Sequence, residues 1–251
     1  MAILHKDIGL WEDRWNEKAL RKKCLEIGTR EFARGWRQQA LSADEMLFNE
    51  EWLEASIDPT TSLSFPGEPA PPIPSTYGVY MGVDLAIAGG KDSGDYFVIT
   101  VIAIDSKKFN RQLIGMCRTR GISFNDQIET IELWSNHFNP SLIFVESNAY
   151  QEAIIQELHR RTPLPVRSFK TTSVNKTDIE NGLPRMSVEF EQSRWRLPSK
   201  GEASYDLTNI LVSEMRSYPI GKHDDCLMSL WFARSAATNI EIRTPKRIKI
   251  I

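Results

Sequence analysis

Four carboxylates stand where this chain can gather them. Asp84 closes the apolar run GVDLA ahead of the Gly-rich turn 86–94, and Glu146 closes a second run, IFVES. Asp224 and Asp225 open a helical pattern directly after His223. If the two runs are neighbouring strands, Asp84 and Glu146 project from adjacent strand ends, the usual place for a site in an open α/β sheet. A helix beginning at Asp224 would bring its acid to the same edge. Several carboxylates in one cleft repel one another and cannot all stay ionised without a cation. Oxygen-only ligands select a hard divalent ion, Mg²⁺ or Mn²⁺. Two such ions about 3.5–4 Å apart can activate a water on one side of a phosphate and stabilise the leaving oxygen on the other. Phosphodiester hydrolysis is the chemistry these residues suit best.

Each position also has a plainer explanation. A strand-end Asp before glycines is often a turn residue, which is the alternative for Asp84. Glu146 follows four apolar residues in a buried run, where an unpaired carboxylate is expensive, so function is favoured there. An Asp at a helix start commonly caps it. Of that pair, Asp225 is the preferred direct ligand and Asp224 assists or caps. Asp92 and Asp95 could approach a metal but read better as solvated turn residues; His223 could orient a carboxylate or water but reads better as a surface histidine at a helix entrance.

The elements that must hold these groups follow from periodicity. TYGVYMGVDLA, DYFVITVIAID and RQLIGMCRTRG read as three strands with short links, SLIFVES as a buried fourth and PVRSFKT as a fifth. FNDQIETIELWSNHFN is a helix with Ile128, Ile131 and Leu133 turned inward, and NAYQEAIIQELHRR is the next. Helical stretches are expected near 176–192 and 203–217, with KHDDCLMSLWFARSAAT as the last helix. The order predicts an α/β domain on a mixed five-stranded sheet, an antiparallel meander and then parallel crossovers, flanked by helices.

Six of the 13 prolines lie between Pro59 and Pro74, so residues 58–76 form a linker or an extended strap. Before it, residues 1–57 are helical in pattern. One run carries Trp11, Trp15, Leu20, Leu25 and Ile27 and stops at Gly28; TREFARGWRQQAL follows; a third helix is expected behind a capping box of Ser42 and Glu45, with Leu47, Trp52 and Leu53. Four of the seven tryptophans sit in this leader, too much aromatic surface for so short a segment to bury alone. It must pack on the main domain, 77–240, or on a neighbour. Residues 241–251 make a basic tail.

Composition narrows the classes. Of 251 residues, 41% are hydrophobic and 25% charged, which excludes a disordered, collagenous or disulfide-built chain. No apolar run approaches the roughly 18–20 residues that span a bilayer, and the N-terminus carries acid and tryptophan where a secretion signal needs an apolar core. Three scattered cysteines, Cys24, Cys117 and Cys226, offer no zinc spacing and suit a reducing cytoplasm. The net charge of −2 argues against coating nucleic acid through bulk charge. It hides a gradient: residues 160–251 hold 16 basic and 10 acidic side chains, while 77–159 hold 6 and 10.

Four blocks in order resemble one family. GVDLA with its turn, IFVESNAYQ, NKTDIENGLPRMSVEFEQSRWRLP and KHDDCLMSLWFA are similar to the nuclease domain of the large terminases of tailed bacteriophages. The resemblance covers roughly 78–235. It implies an RNase H-like fold related to Holliday-junction resolvases and an acidic metal site that cuts double-stranded DNA. Asp84 then matches the first-strand aspartate, Glu146 the fourth-strand acid and Asp224–Asp225 the C-terminal acid. Asp84 would bridge two ions, with Glu146 and Asp225 completing the ligands and water as nucleophile. Lys176, Arg185, Arg194 and Arg196 would lie beside the cleft and meet phosphates; their plainer role is a solvated surface around a packed Trp195. The leader resembles the stretch that follows the packaging ATPase. No G-x-x-x-x-G-K-[ST] occurs, so the chain is not expected to translocate DNA alone. An ATPase domain, the small terminase and the portal are the partners implied, in the host cytoplasm and without a membrane.

Nothing resembles a base-reading element, so little sequence preference is expected. Two other readings stay open. One is an inactive packaging or docking module using the Trp-rich leader. The other is an actin-like phosphotransferase, for which GVDLAIAGGKDSG would be a phosphate hairpin, although no second lobe or loop is present.

Overall fold

Runs rich in valine, isoleucine and aromatics fit a pleated, buried surface, and each one becomes a strand. The computed structural model describes residues 15–36, 46–86, 96–147 and 152–243. Strands β2 (Tyr77–Asp84), β3 (Phe97–Asp105) and β4 (Arg111–Thr119) form the antiparallel meander. Strand β5 (Leu142–Glu146) pairs parallel with β2, and β6 (Val166–Phe169) parallel with β5. The sheet has seven strands, not five, in the order β1-β7-β4-β3-β2-β5-β6. The two extra strands are β1 (Ile57–Asp58) and β7 (Trp195–Pro198), paired parallel with each other, with β7 also parallel to β4. Both are too short for an alternation of apolar residues to show. Every strand except β3 runs the same way, so one edge of the sheet collects six carboxyl ends.

Helices cover both faces. α4 (Phe124–Phe138) and α5 (Glu152–Arg161) pack on one side, where Ile128, Ile131, Trp134, Ile154 and Leu158 meet Met81, Ile99 and Val145. α7 (Leu183–Glu191), α8 (Glu202–Ser217) and α9 (Asp225–Arg243) pack on the other, with Phe190, Leu211, Leu230 and Phe232 against Val98, Met116 and Phe144. Ser123 and Asp126 form a reciprocal capping box that starts α4. Its buried face continues from Ile131 to Trp134, three residues on, so Leu133 is turned outward and 56% exposed. The inward placement of Leu133 is therefore corrected. Leu133→Ser should change thermal stability by no more than about 0.5 kcal/mol, whereas Trp134→Ala should cost about 3–5 kcal/mol; comparable losses in the two melts would show the face to be misassigned.

The leader folds as α1 (Glu17–Ile27) and α2 (Thr29–Trp36), broken at Gly28 with φ of 85°, a left-handed position that favours glycine. It rests on α7: Arg185 donates to the Glu26 carbonyl, Gln192 to the Leu25 carbonyl, and the Thr29 amide to Glu191. Trp15 and Trp36 meet edge to face 4.3 Å apart, and Phe32 stacks on Trp36. The third leader helix, α3 (Glu50–Ser56), starts later than expected and is capped by Asn49. Ser42 and Glu45 lie outside the described residues, as do Trp11, Asp92, Asp95 and most of the basic tail, 244–251. The expected helical stretch 176–192 is divided into α6 (Ser173–Lys176) and α7, with Pro184 in the first turn of α7, where a missing amide costs nothing.

The Pro-rich segment is a packed strap. The Ser64 amide bonds the Ile114 carbonyl of β4, the Leu63 amide bonds Ser204 Oγ of α8, and Phe65 meets Trp134 of α4. On the α9 side the layers are tied by Glu189, only 2% exposed. Its carboxylate takes Arg111 of β4 at 2.9 Å, Arg234 of α9 at 3.0 Å and the Trp195 indole at 3.2 Å. Burial alone would raise its pKa, but Arg234 and Arg111 outweigh burial and hold it below the usual value.

Candidate active site

Alternation along the strands decides which side chains face α9. Gly82 faces it so closely that an added Cβ would sit 2.0 Å from the Ser229 carbonyl oxygen. Asp84 lies two residues further on β2 and shares that face. Glu146 stands two residues beyond Phe144, which packs in the α9-side core. The register Val83↔Val145 sets Asp84 and Glu146 side by side at the carboxyl edge. α9 begins at that edge with Asp225, one turn before Ser229, whose hydroxyl donates to the Gly82 carbonyl at 2.9 Å. Asp84, Glu146, Asp224 and Asp225 are thus brought together from β2, β5 and the start of α9.

The electrostatics agree with that placement. Asp84 is 8% exposed. Burial, then the charge of the neighbouring Glu146 and a hydrogen bond shared with it, then the charges of Asp225 and Asp224, push its carboxyl well above the usual carboxylate range. Among the described residues, no group of three or more acidic, histidine or cysteine side chains is closed tightly enough to hold a metal ion. The donor set nonetheless fits a hard divalent cation: it is all oxygen, and its mutual repulsion is what such an ion relieves.

Around the acids lies a basic and aromatic rim, of which sequence reading named only His223. His223 is drawn inward: its Nδ1 is 3.6 Å from Asp225 Oδ2, and its Nε2 lies 3.3 Å from Arg120. Arginine only donates, so Nε2 accepts and the ring proton belongs on Nδ1, facing Asp225. The guanidinium groups of Arg118 and Arg120 lie 3.1 and 3.7 Å from the centre of the Tyr96 ring. A signal existed for the arginines: RQLIGMCRTRG carries Arg118 and Arg120 just before its closing glycine, and β4 ends at the same edge as β2.

The four basic residues expected near the cleft are scattered. Lys176 reaches the site, with its ammonium 3.7 Å from Asp224 Oδ2. Arg185 holds the leader, as described above. Arg196 pairs with Asp58 at 3.5 Å on β7, separated from β2 by β4 and β3. Arg194 lends its carbonyl to the Arg111 amide beside β7.

A mixed sheet with one reversed strand and helices on both faces is the architecture of an RNase H-like protein, with the acids at the ends of the neighbouring strands β2 and β5 and at the start of α9. The match is specific within that class: residues 81–235 fit the family described as the terminase RNaseH-like domain, and the chain belongs to it. Among solved structures, it resembles the magnesium-bound large terminase nuclease from the thermophilic phage G20c, with 18% identity and a TM-score of 0.54 over 77% of this chain and 98% of that one. The P22 large terminase nuclease domain gives 10% identity and a TM-score of 0.53 over 78% and 93%. At these identities the fold is what is shared. A search of curated proteins finds no match. Family membership supports a nuclease role in phage DNA packaging.

Proposed function

We propose that this protein cuts double-stranded DNA during genome packaging by divalent-metal-dependent hydrolysis, with little sequence preference. The observation that carries the reading is the convergence on Asp84: the strand ends of β2 and β5 and the start of α9 meet at this carboxylate, whose pKa is raised first by burial and then by Glu146, Asp225 and Asp224. The magnesium bound to the G20c nuclease supports a divalent ion for the same fold. Asp84, Glu146 and Asp225, assisted by Asp224, would hold two ions of Mg²⁺ or Mn²⁺, which supply an activated water and charge neutralisation at the phosphate. The chain's own groups do the rest. The strand ends and the start of α9 fix three acids in place, and His223 stands 3.6 Å from the buried Oδ2 of Asp225. Residues 77–240 would be the catalytic unit, and the leader would join it to a packaging ATPase, with the small terminase and portal as further partners.

The test is linearisation of a plasmid by the full chain with Mn²⁺ or Mg²⁺, repeated with chelator. Cutting should need the ion. Cutting that persists in chelator, or its absence with both ions in a folded protein, would overturn the reading. DNA contact should run past Lys176 and not past Arg196. Lys176→Ala is expected to weaken DNA binding and lower the slope of log K against log[salt] by about 1. Arg196→Ala should leave both unchanged in the same salt titration.

A further inference from the structure

Helix α9 must begin in one place and one direction for Asp225 to face Asp84, yet its own flanking residue does not cap it. The first turn comprises Asp225, Cys226 and Leu227, and an N-capping side chain ordinarily accepts from the second or third of these amides. Here the acceptor comes from another helix. Oε2 of Glu214, on α8, takes the Cys226 amide at 2.7 Å and the Leu227 amide at 3.2 Å. Among the described residues, the Asp224 carboxylate caps neither amide and its ion pair is with Lys176. The Asp224 carbonyl still accepts the Met228 amide at 2.8 Å, so the helix is regular from its first residue.

Glu214 is buried, and its charge is answered by Arg118, 3.8 Å from Oε1. Arg118 in turn lies against Tyr96. The register places Arg118 opposite Val98 and Val98 opposite Asp84, so this support stands in the same row of the sheet as the acid it serves. A carboxylate at a helix N-terminus is favoured by the helix dipole as well as by the two amides.

We propose that Glu214 is a positioning residue of the acidic site: it caps α9 in place of Asp224, fixes Asp225 against Asp84, and releases the Asp224 carboxylate to face the same site. This rests on the proposed metal site, and groups that orient ligands from outside typically contribute about 10–100-fold in metal affinity or activity. It explains why two adjacent aspartates both count toward the acidic group: the capping duty that would consume one of them is carried elsewhere.

The test compares Glu214→Ala and Glu214→Gln in the full chain, with Leu53→Ala as a core variant remote from the site. Amide hydrogen exchange at Cys226 and Leu227 should rise at least about tenfold in Glu214→Ala, while Glu214→Gln, which keeps an acceptor oxygen, stays near wild type. The Mn²⁺ concentration needed for half-maximal cutting should rise at least about tenfold in the Ala variant, be restored by excess Mn²⁺, and be near normal in the Gln variant. Leu53→Ala should lower the melting temperature without changing the Mn²⁺ requirement. Unchanged exchange in a folded Glu214→Ala would overturn the cap. Changed exchange with an unchanged Mn²⁺ requirement, or an equal rise in Leu53→Ala, would overturn the positioning role. If wild type itself does not cut with metal, the proposed function fails, and the exchange result still decides whether Glu214 holds the helix.

Discussion

Asp84→Asn is expected to reduce metal-dependent DNA cutting by more than about 100-fold, beyond what loss of a group outside the ligand set usually costs. The same change should leave the metal-free protein as stable as wild type, or more so. The two halves have one cause. Asp84 sits 8% exposed with Glu146 beside it and Asp225 and Asp224 close enough to raise its pKa further. Without a cation, a buried charge at this position gains nothing from its neighbours and is repelled by all of them. Asparagine has the same shape and no charge, so it relieves repulsion in the fold while removing the central ligand. The checks are plasmid cutting and thermal melts with and without Mn²⁺. Wild type should melt higher with the ion, because binding to the folded state alone stabilises it, and the variant should gain little. Cutting within about tenfold of wild type would sink the assignment of Asp84, since even an outer partner commonly costs that much. A large drop in the metal-free melt would make Asp84 a structural residue.

That pattern, function at some cost to the metal-free fold, is partly legible in the sequence. Asp84 and Glu146 stand out because each ends a run whose apolar residues demand a strand, and a buried strand end is a costly place for an acid. The meander and both crossovers are legible for the same reason: long runs carry their period. β1 and β7 are not, because two and four residues carry no period, and their pairing depends on β4 lying open beside them. Leu133 turns outward because it stands two residues from Ile131, where a helix face advances by three or four. Glu214 is invisible for a deeper reason. It stands in the second half of an amphipathic helix, twelve residues before the first amide it holds, and nothing local marks it. His223 has the neighbours of a surface residue, while its setting is made by Arg120, 103 residues away. Residues whose role is set by chain crossings leave no trace in spacing.

The crossing that makes the site possible is that of α9 over β2, and Gly82→Ala should abolish it. An added Cβ would lie 2.0 Å from the Ser229 carbonyl oxygen, 2.4 Å from the Ala233 nitrogen and 3.0 Å from Phe232 Cβ. Two of the three are helix backbone, so no side-chain rotation gives relief; the helix must move away from the sheet. Ser229 would then lose its bond to the Gly82 carbonyl at 2.9 Å and its contact with Thr100 Oγ1 at 3.1 Å, both fully buried. Overpacking and stranded polar groups add, and the expected loss is at least about 4 kcal/mol. For a domain of this size that is roughly a 10 °C fall in melting temperature, or failure to fold. Gly35→Ala is the control: among the described residues nothing stands within 4 Å of its added Cβ, and it lies in the last turn of α2, so alanine should be neutral or stabilise by up to about 1 kcal/mol. If Gly82→Ala melts like wild type, α9 does not lie where the structure puts it, and Asp225 loses its place beside Asp84. If the variant folds at a lower melting temperature, its Mn²⁺ requirement should rise as well, because the step that lifts Ser229 from β2 also lifts Asp225, one turn earlier, from the two strand-end acids.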